Sequence, residues 1–462
     1  MAKRTASDVG LASNGAGKAG KKEFFPDIGT IVYEGSESKN PMAFHYYNAD
    51  EVIMGRKMRD WLRFAVCYWH TWRGNGADPF GIDGTMTRPW ADEKLSPMDE
   101  ALKTVDVHFE FLQKLGVDFY CWHDRDICPV EGATIAETEK NLDVVADKLL
   151  ECQQRTGVKL LWGTANMFSH RRFMNGAATN PNPEVFCRAA AQVKKAMEVC
   201  YRLGGENYVF WGGREGYQCL LNTDLKGELD QLATFLRCAV EHKKAIGAKF
   251  QLLIEPKPRE PTAHQYDFDA ATVMGFLKNY GLDNDFKINL EANHGTLAGH
   301  SGEHETAMAH VYGMLGSIDA NRNECLLGWD TDMFPMDVGM ATYIMKCVIA
   351  QGGLQPGGLN FDAKVRREST DLEDLFIGHI NGMDCYARGL RNAAKLIQEG
   401  TFDKMLKDRY RGYLETDLGK RIRSNDPTLS FAELSEHAKK TEEPAQLSGK
   451  HEKFESVFNA FL

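Results

Sequence analysis

From Trp61 onward, short apolar runs alternate with longer amphipathic stretches. The apolar runs fall at 63–69, 117–124, 159–166, 207–213, 250–256, 286–293, 314–321 and 357–363. Each is too short for a helix, is bounded by Gly, Pro or Asn, and ends in polar residues, which predicts a strand. The stretches between them carry apolar residues at helical spacing. Thr223 or Asp224 can cap one helix, whose stripe runs through Leu229, Leu232, Phe235, Leu236, Ala239 and Val240. Val338 to Ile349 and Leu372 to Leu390 read the same way. Near-continuous apolar strands alternating with helices predict an α/β protein with a closed parallel sheet, a (β/α)₈ TIM barrel. An open doubly wound sheet is the alternative.

Two segments lie outside this repeat. Residues 23–60 form an N-terminal arm containing Phe24, Phe25, Pro26 and Tyr33, and 396–462 are a polar, helix-prone extension that must pack on its own barrel or on a neighbouring subunit. The barrel is assigned to 61–395. Residues 1–22, rich in Ala, Gly, Ser and Lys, lack the apolar centre of a secretory signal; they read as a disordered tail, with an organelle transit peptide as the second reading.

With 462 residues, the chain fits a barrel with extensions. The formal charge of −10 and the lack of a basic block argue against nucleic acid as a partner. No run of about 18 apolar residues occurs, so no membrane span is expected. The 11 cysteines form no C-x-x-C pair, several sit in apolar runs, and there is no N-x-S/T sequon. Reduced thiols and a cytoplasmic location are the expectation.

In such a barrel, chemistry gathers at the C-terminal ends of the strands. There Glu255 closes the fifth strand, Glu291 the sixth with His294 three residues on, Asp319 the seventh and Asp362 the eighth; Asp330 and Asp332 follow in the seventh loop. Any one of these acids could be solvated or paired with arginine. Six carboxylates on one rim repel unless cations lie between them. The donors are mostly hard oxygens with no thiolate, which favours Mg²⁺, Mn²⁺ or Co²⁺ over structural zinc. Seven side chains exceed one octahedral ion's needs, so two divalent cations sharing a bridging carboxylate are predicted. On extended backbone Asp330 and Asp332 would point the same way. The prolines of Glu255-Pro256-Lys257-Pro258 hold that segment extended, which aims Lys257 at the same side as Glu255. Lys257 could serve a substrate oxygen or simply pair with Glu255. His123, with Asp126 to orient it, is a candidate acid/base or a satisfied core histidine. Trp69, Phe168 and Trp211 could wall off a sugar's C–H face, or be core filler. The Gly-rich run 211–216 is not a dinucleotide fingerprint, and neither a P-loop nor a Cys/His nucleophile pair is evident.

Seven blocks resemble one family in order: WHDRD (122–126), YVFWGGREGY (208–217), IEPKP (254–258), NLEANHGTLAGH (289–300), SIDAN (317–321), GWDTDMFP (328–335) and NFDAKVRR (360–367). That family is xylose isomerase, in its longer-chained class with an N-terminal arm. The resemblance implies one cation on Glu255, Glu291, Asp319 and Asp362, and a second on Glu291, His294, Asp330 and Asp332. It implies that His123, backed by Asp126, assists opening of the cyclic sugar and that Lys257 binds the oxygen on carbon 1. Trp69, Phe168 and Trp211 would enclose the substrate together with Phe80, from the DPFG loop (78–81) of a neighbouring subunit. The implied reaction is D-xylose to D-xylulose by a metal-assisted 1,2-hydride shift, with D-glucose to D-fructose as a side activity. The implied assembly is a homotetramer embraced by the C-terminal extension. Rival readings are another metal-dependent barrel enzyme, such as a different aldose isomerase or a phosphodiester-cleaving barrel with a basic groove and more histidine ligands, and a non-catalytic sugar-binding or scaffold protein that would have lost Lys257, His123 or several ligands.

Overall fold

A computed structural model describes residues 23–91 and 94–462. The tail assigned to 1–22 lies outside the described residues. Eight parallel strands close into a barrel: β1 Phe64–Cys67, β2 Phe119–His123, β3 Lys159–Thr164, β4 Asn207–Trp211, β5 Gln251–Glu255, β6 Phe286–Glu291, β7 Leu315–Asp319 and β8 Leu359–Phe361. Closure is made by β8 against β1, with Phe361 beside Val66. All eight predicted runs are barrel strands, and the open-sheet alternative fails at this β8–β1 seam.

The surrounding helices are α1 Pro97–Leu115, α2 Ile135–Thr156, α3 Pro183–Arg202, α4 Leu225–Ala245, α5 Ala270–Asn279, α6 Gly302–Val311, α7 Val338–Ala350 and α8 Leu372–Glu399. Their starts follow local chemistry. Asp224 caps α4 by accepting from the Gly227 amide, and Thr134 with Glu137 forms a reciprocal capping box on α2. The helices bury their apolar stripes against the outward faces of the strands. Ala65, Phe119, Cys121, Leu161, Trp162, Val209 and Leu253 form a separate core cluster, with Trp69 packed against it.

Two carboxylates hold the arm to the helices. Glu110 of α1 accepts from the Phe24 and Phe25 amides, and Asp384 of α8 accepts from those of His45, Tyr46 and Tyr47 at 2.7–2.8 Å. Phe25 is buried, with Trp90, Phe111 and Phe376 around it at ring separations of 5.3–6.0 Å. At the other end α8 runs past residue 395 to Glu399 and stops at Gly400. Beyond it lie short helices at Thr401–Arg409, Arg411–Glu415, Asp417–Arg423, Phe431–Ala438 and His451–Asn459, none with a buried residue except Gly419. Leu406, Tyr413, Leu414, Ile422, Phe431 and Leu447 are exposed there. Among the described residues no helix is long and apolar enough to cross a membrane.

Candidate metal and substrate centre

Strand register determines which side chains meet at the barrel mouth. Glu291 pairs with Asp319 across β6–β7, and Trp211 with Glu255 across β4–β5. Asp362 follows β8 directly. Six carboxylates and His294 therefore converge, and Glu255, Glu291, Asp319, Asp332 and His294 are each at most 6 % exposed. Ligand atoms of Glu255, Glu291, Asp319 and Asp362 lie within 4.8 Å of one another, as do those of Glu291, Asp330 and Asp332, and those of Glu255, Glu291 and His294. Glu291 belongs to all three groups.

Four asparagines hold this cage in shape. The Asn289 side-chain amide donates to both Glu255 Oε2 and Asp319 Oδ2, at 3.0 and 2.9 Å. Asn360 donates to Asp319 Oδ1 at 2.8 Å, and Asn321 to Glu291 Oε1 at 2.6 Å. Asn293 donates to Asp332 Oδ1 at 3.1 Å and to Asp330. Each asparagine stands two residues from a cage carboxylate, in the runs NLEAN, SIDAN and NFDA, yet donates to carboxylates of other segments. Their alternation with the acids was the available signal, and sequence reasoning passed over it.

Burial dominates the electrostatics. It pushes the Glu255 and Glu291 carboxyls well above the usual range and Asp319 up to about 8, and the neighbouring carboxylates add to the effect. Asp330 is raised for the same two reasons although Lys257 opposes them. Asp332 is the exception: burial raises it too, but Lys364 and His70 outweigh burial and hold it well below the usual range. Without a counter-ion, the cage thus keeps protons that ordinary carboxyls would have lost at neutral pH. Glu291 Oε2 and His294 Nδ1 are buried 3.1 Å apart, yet neither makes a hydrogen bond among the described residues. Orphaned lone pairs inside a hard-donor cage fit divalent cations.

Lys257 does not take the alternative reading, a simple pair with Glu255. Its Nζ lies 2.7 Å from Asp330 Oδ2 and 3.3 Å from Glu260. Burial pulls its pKa down, but Asp330 and Glu260 outweigh that and keep it charged. The convergence of Asp330 and Asp332 also has a different cause from extended backbone. Asp332 is left-handed, at φ 45°, and its carbonyl accepts from the Lys364 amide and from Arg366 Nη2, which pins the turn. His70, which sequence reasoning missed, lies with Nε2 2.9 Å from Asp362 Oδ1 and 3.2 Å from Asp332 Oδ2. Burial lowers its pKa, but those two acids raise it to about 9.

The aromatic residues form an arc beside the cage. Ring separations are 4.2 Å for Trp69–His123, 5.7 Å for His123–Phe168 and 4.5 Å for Phe168–Trp211. Lys257 Nζ sits 5.3 Å above Trp211. His123 Nδ1 is 2.8 Å from Asp126 Oδ2, the orienting contact expected of the pair. Trp69 opens a π-helical turn, Trp69–Arg73, and donates from Nε1 to Asp362 at 2.9 Å. Gly213, at φ 54°, lets Phe168 close in, because a Cβ there would stand 2.8 Å from Phe168 Cβ. Phe80 is 86 % exposed, beside Trp329 at the rim of a mouth of about 550 Å³.

Glu215 ties the wall together and was also missed. Its buried carboxylate accepts from the amides of Ala177, Ala178 and Thr179 at 2.8–3.1 Å and from the Thr179 hydroxyl. Its carbonyl accepts from Tyr266, whose loop also binds the Lys257 amide through Asp267. The loops carrying Phe168, Trp211 and Lys257 are thereby joined. A charged residue inside the Gly-rich run 212–216 was the only hint.

The comparisons agree with this geometry. Residues 109–324 match the family described as "Xylose isomerase-like TIM barrel", and 406–462 match the "XylA2 C-terminal domain". The chain is 54 % identical over 440 residues to a xylose isomerase of Arabidopsis thaliana, covering 95 % of this chain and 91 % of that protein. It is 52 % identical over 457 residues to one of Hordeum vulgare, covering 99 % and 94 %. It is 54 % identical over 440 residues to one of Thermotoga maritima, covering 95 % and 98 %. With a parallel eight-stranded barrel, a carboxylate cage at its mouth and relatives this similar over nearly its whole length, the chain belongs to the xylose isomerase family, isomerases that act on sugars.

Proposed function

We propose that the cage holds two divalent cations of the hard class, Mg²⁺, Mn²⁺ or Co²⁺, and that the arc beside it binds D-xylose for conversion to D-xylulose. One cation is assigned to Glu255, Glu291, Asp319 and Asp362, the other to Glu291, His294, Asp330 and Asp332, with Glu291 shared. The observation that carries this is the orphaned Glu291 Oε2 at the junction of the ligand groups. Bound there, the cations supply Lewis-acid polarisation of the sugar's oxygens.

The chain's own residues supply the rest. His123, with its Nδ1 proton held by Asp126, presents Nε2 to the ring of the cyclic sugar and moves a proton during opening. Lys257 remains charged between Asp330 and Glu260 and has three N–H donors, so one is left for the oxygen on carbon 1. That contact stabilises negative charge as a hydride passes between carbons 2 and 1. Trp69, Phe168 and Trp211 cover the C–H face of the open chain and exclude water. D-Glucose, one carbon longer, is the slower substrate in this reading.

The exposed Phe80 and the apolar surface of 401–462 support a homotetramer in which Phe80 completes a neighbour's pocket and the extension embraces another subunit. A coupled assay of D-xylulose formation, with Mg²⁺ or Mn²⁺ and with chelator, tests the core of the proposal. Turnover should vanish with chelator and return with metal. Chelator-insensitive turnover would refute the two-cation assignment.

A further inference from the structure

Outside the mouth, a second group of metal-ligating side chains sits behind the helix that carries His294. We propose that His300, His304, Glu305 and Asp269 form a further cation site for a borderline transition metal of the Zn²⁺, Co²⁺ or Ni²⁺ class. Ligand atoms of His300, His304 and Glu305 lie within 4.8 Å of one another. His300 Nε2 is 3.9 Å from Glu305 Oε1 and 3.2 Å from Asp269 Oδ2. The two imidazoles face each other with ring centroids 4.5 Å apart. A tetrahedral shell with bonds of about 2.0–2.1 Å places donors about 3.3 Å apart. The Asp269 contact already meets that spacing, and the donor atoms of His300, His304 and Glu305 lie within 4.8 Å of one another.

Each carboxylate is built as a ligand with its second oxygen already held. Asp269 spends Oδ1 on the Thr272 amide at the start of α5, at 2.7 Å, which leaves Oδ2 facing His300. Glu305, buried, spends Oε2 on the Ala270 amide at 2.8 Å, which leaves Oε1 facing His300. A ligating carboxylate anchored through its other oxygen is the usual outer-shell arrangement of metal sites. The histidines are placed with similar economy. Gly299, at φ 83°, reverses the chain after the short helix Ala292–Leu297, and the His300 amide returns to the Gly295 carbonyl at 2.9 Å. Ser301 caps α6 through the His304 amide, which sets His304 in the first turn.

The donor chemistry separates this site from the cage at the mouth. Two imidazoles with two carboxylates select a borderline metal, whereas the mouth offers mostly oxygen and favours hard ions. A cation here would tie the start of α5, the 298–301 turn and α6 together. Glu305 also abuts Gly295, where an added Cβ would meet its Cγ at 3.1 Å, so the brace lies directly behind His294.

The test uses the full-length protein saturated with Mg²⁺, to which Zn²⁺ is added before gel filtration and metal analysis. The wild type is compared with a His300→Asn, His304→Asn double variant, and with His304→Asn alone, whose side chain is exposed. The wild type should retain one more zinc per chain than the double variant, with Mg²⁺ content changed equally in both. His304→Asn should weaken that zinc by at least about tenfold. Zinc should also raise the melting temperature of the wild type more than that of the variants. Equal zinc content in wild type and variants would overturn the proposal, since any zinc bound at the mouth is common to all of them.

Discussion

Asn289→Ala separates the two assigned cations. Asn289 is fully buried and donates to Glu255 at 3.0 Å and to Asp319 at 2.9 Å, while its own Oδ1 has no partner among the described residues. Hydrogen bonds to charged groups are worth about 1.5–3 kcal/mol each, so the two donations set an upper bound of about 3–6 kcal/mol. The effect on cation affinity is smaller, because both bonds exist with and without the cation and only their difference counts. Loss of such an outer partner costs about 10–100-fold in affinity, or about 1.4–2.7 kcal/mol. Glu255 loses its donor entirely, whereas Asp319 keeps Asn360. The cation assigned to Glu255, Glu291, Asp319 and Asp362 should therefore weaken by about 10–100-fold. The cation assigned to Glu291, His294, Asp330 and Asp332 should change by less than about threefold, because Asn293 and Asn321 still hold its ligands. Titration against a chromophoric chelator resolves the two affinities. Equal weakening of both cations, or no weakening of either, would refute the idea that Asn289 orients one half of the cage.

Lys257→Met should leave the cations bound and the melting temperature close to wild type, but lower kcat by about 10²–10³-fold, the usual loss for one transition-state donor; near-wild-type turnover would remove Lys257 from its role. Glu291→Ala should disturb both cations together, and metal analysis finding two ions at unchanged affinity would end the bridging assignment. Because Glu255, Glu291 and Asp319 hold protons in the ion-free cage, with Asp319 near 8, cation loading at pH 7 should release protons and tighten as pH rises. Calorimetry in buffers of different ionisation enthalpy reads this directly, and a buffer-independent heat would contradict it. The same raised carboxyls bind more protons folded than unfolded, so the ion-free protein should lose stability as pH climbs from about 4 through 8. Saturating cation should flatten that slope in thermal melts. Glu215→Gln leaves at least one of the Ala177–Thr179 amides without an acceptor, at a cost of about 1–3 kcal/mol in stability. It should raise KM for the sugar as the aromatic arc loosens, and unchanged KM would show that the loop junction does not position the wall.

The barrel and its acidic rim were legible in the chain because both depend on local pattern. An apolar run followed at once by an acid puts that acid at a strand's C-terminal end whatever else the fold does, and eight apolar runs alternating with helices leave few topologies. Glu255, Glu291 and Asp319 were placed by that logic alone, and His123 with Asp126 by their spacing of three. The roles assigned to them came from resemblance. What the chain could not reveal is which polar groups meet across strands. Asn289 reaches residues 30 and 34 positions away, and Lys257 chooses Asp330 over Glu255 because the seventh loop folds over the mouth. Asp330 and Asp332 converge through a left-handed residue that alternation cannot anticipate. His70 and Glu215 look like ordinary surface residues in sequence and become partners of the site, half-buried and buried respectively, only when β1, β4 and their loops are closed together. Side-chain direction along one element is a property of that element's period, whereas the partner it meets depends on register and on loop closure, and these are decided only when the whole barrel shuts.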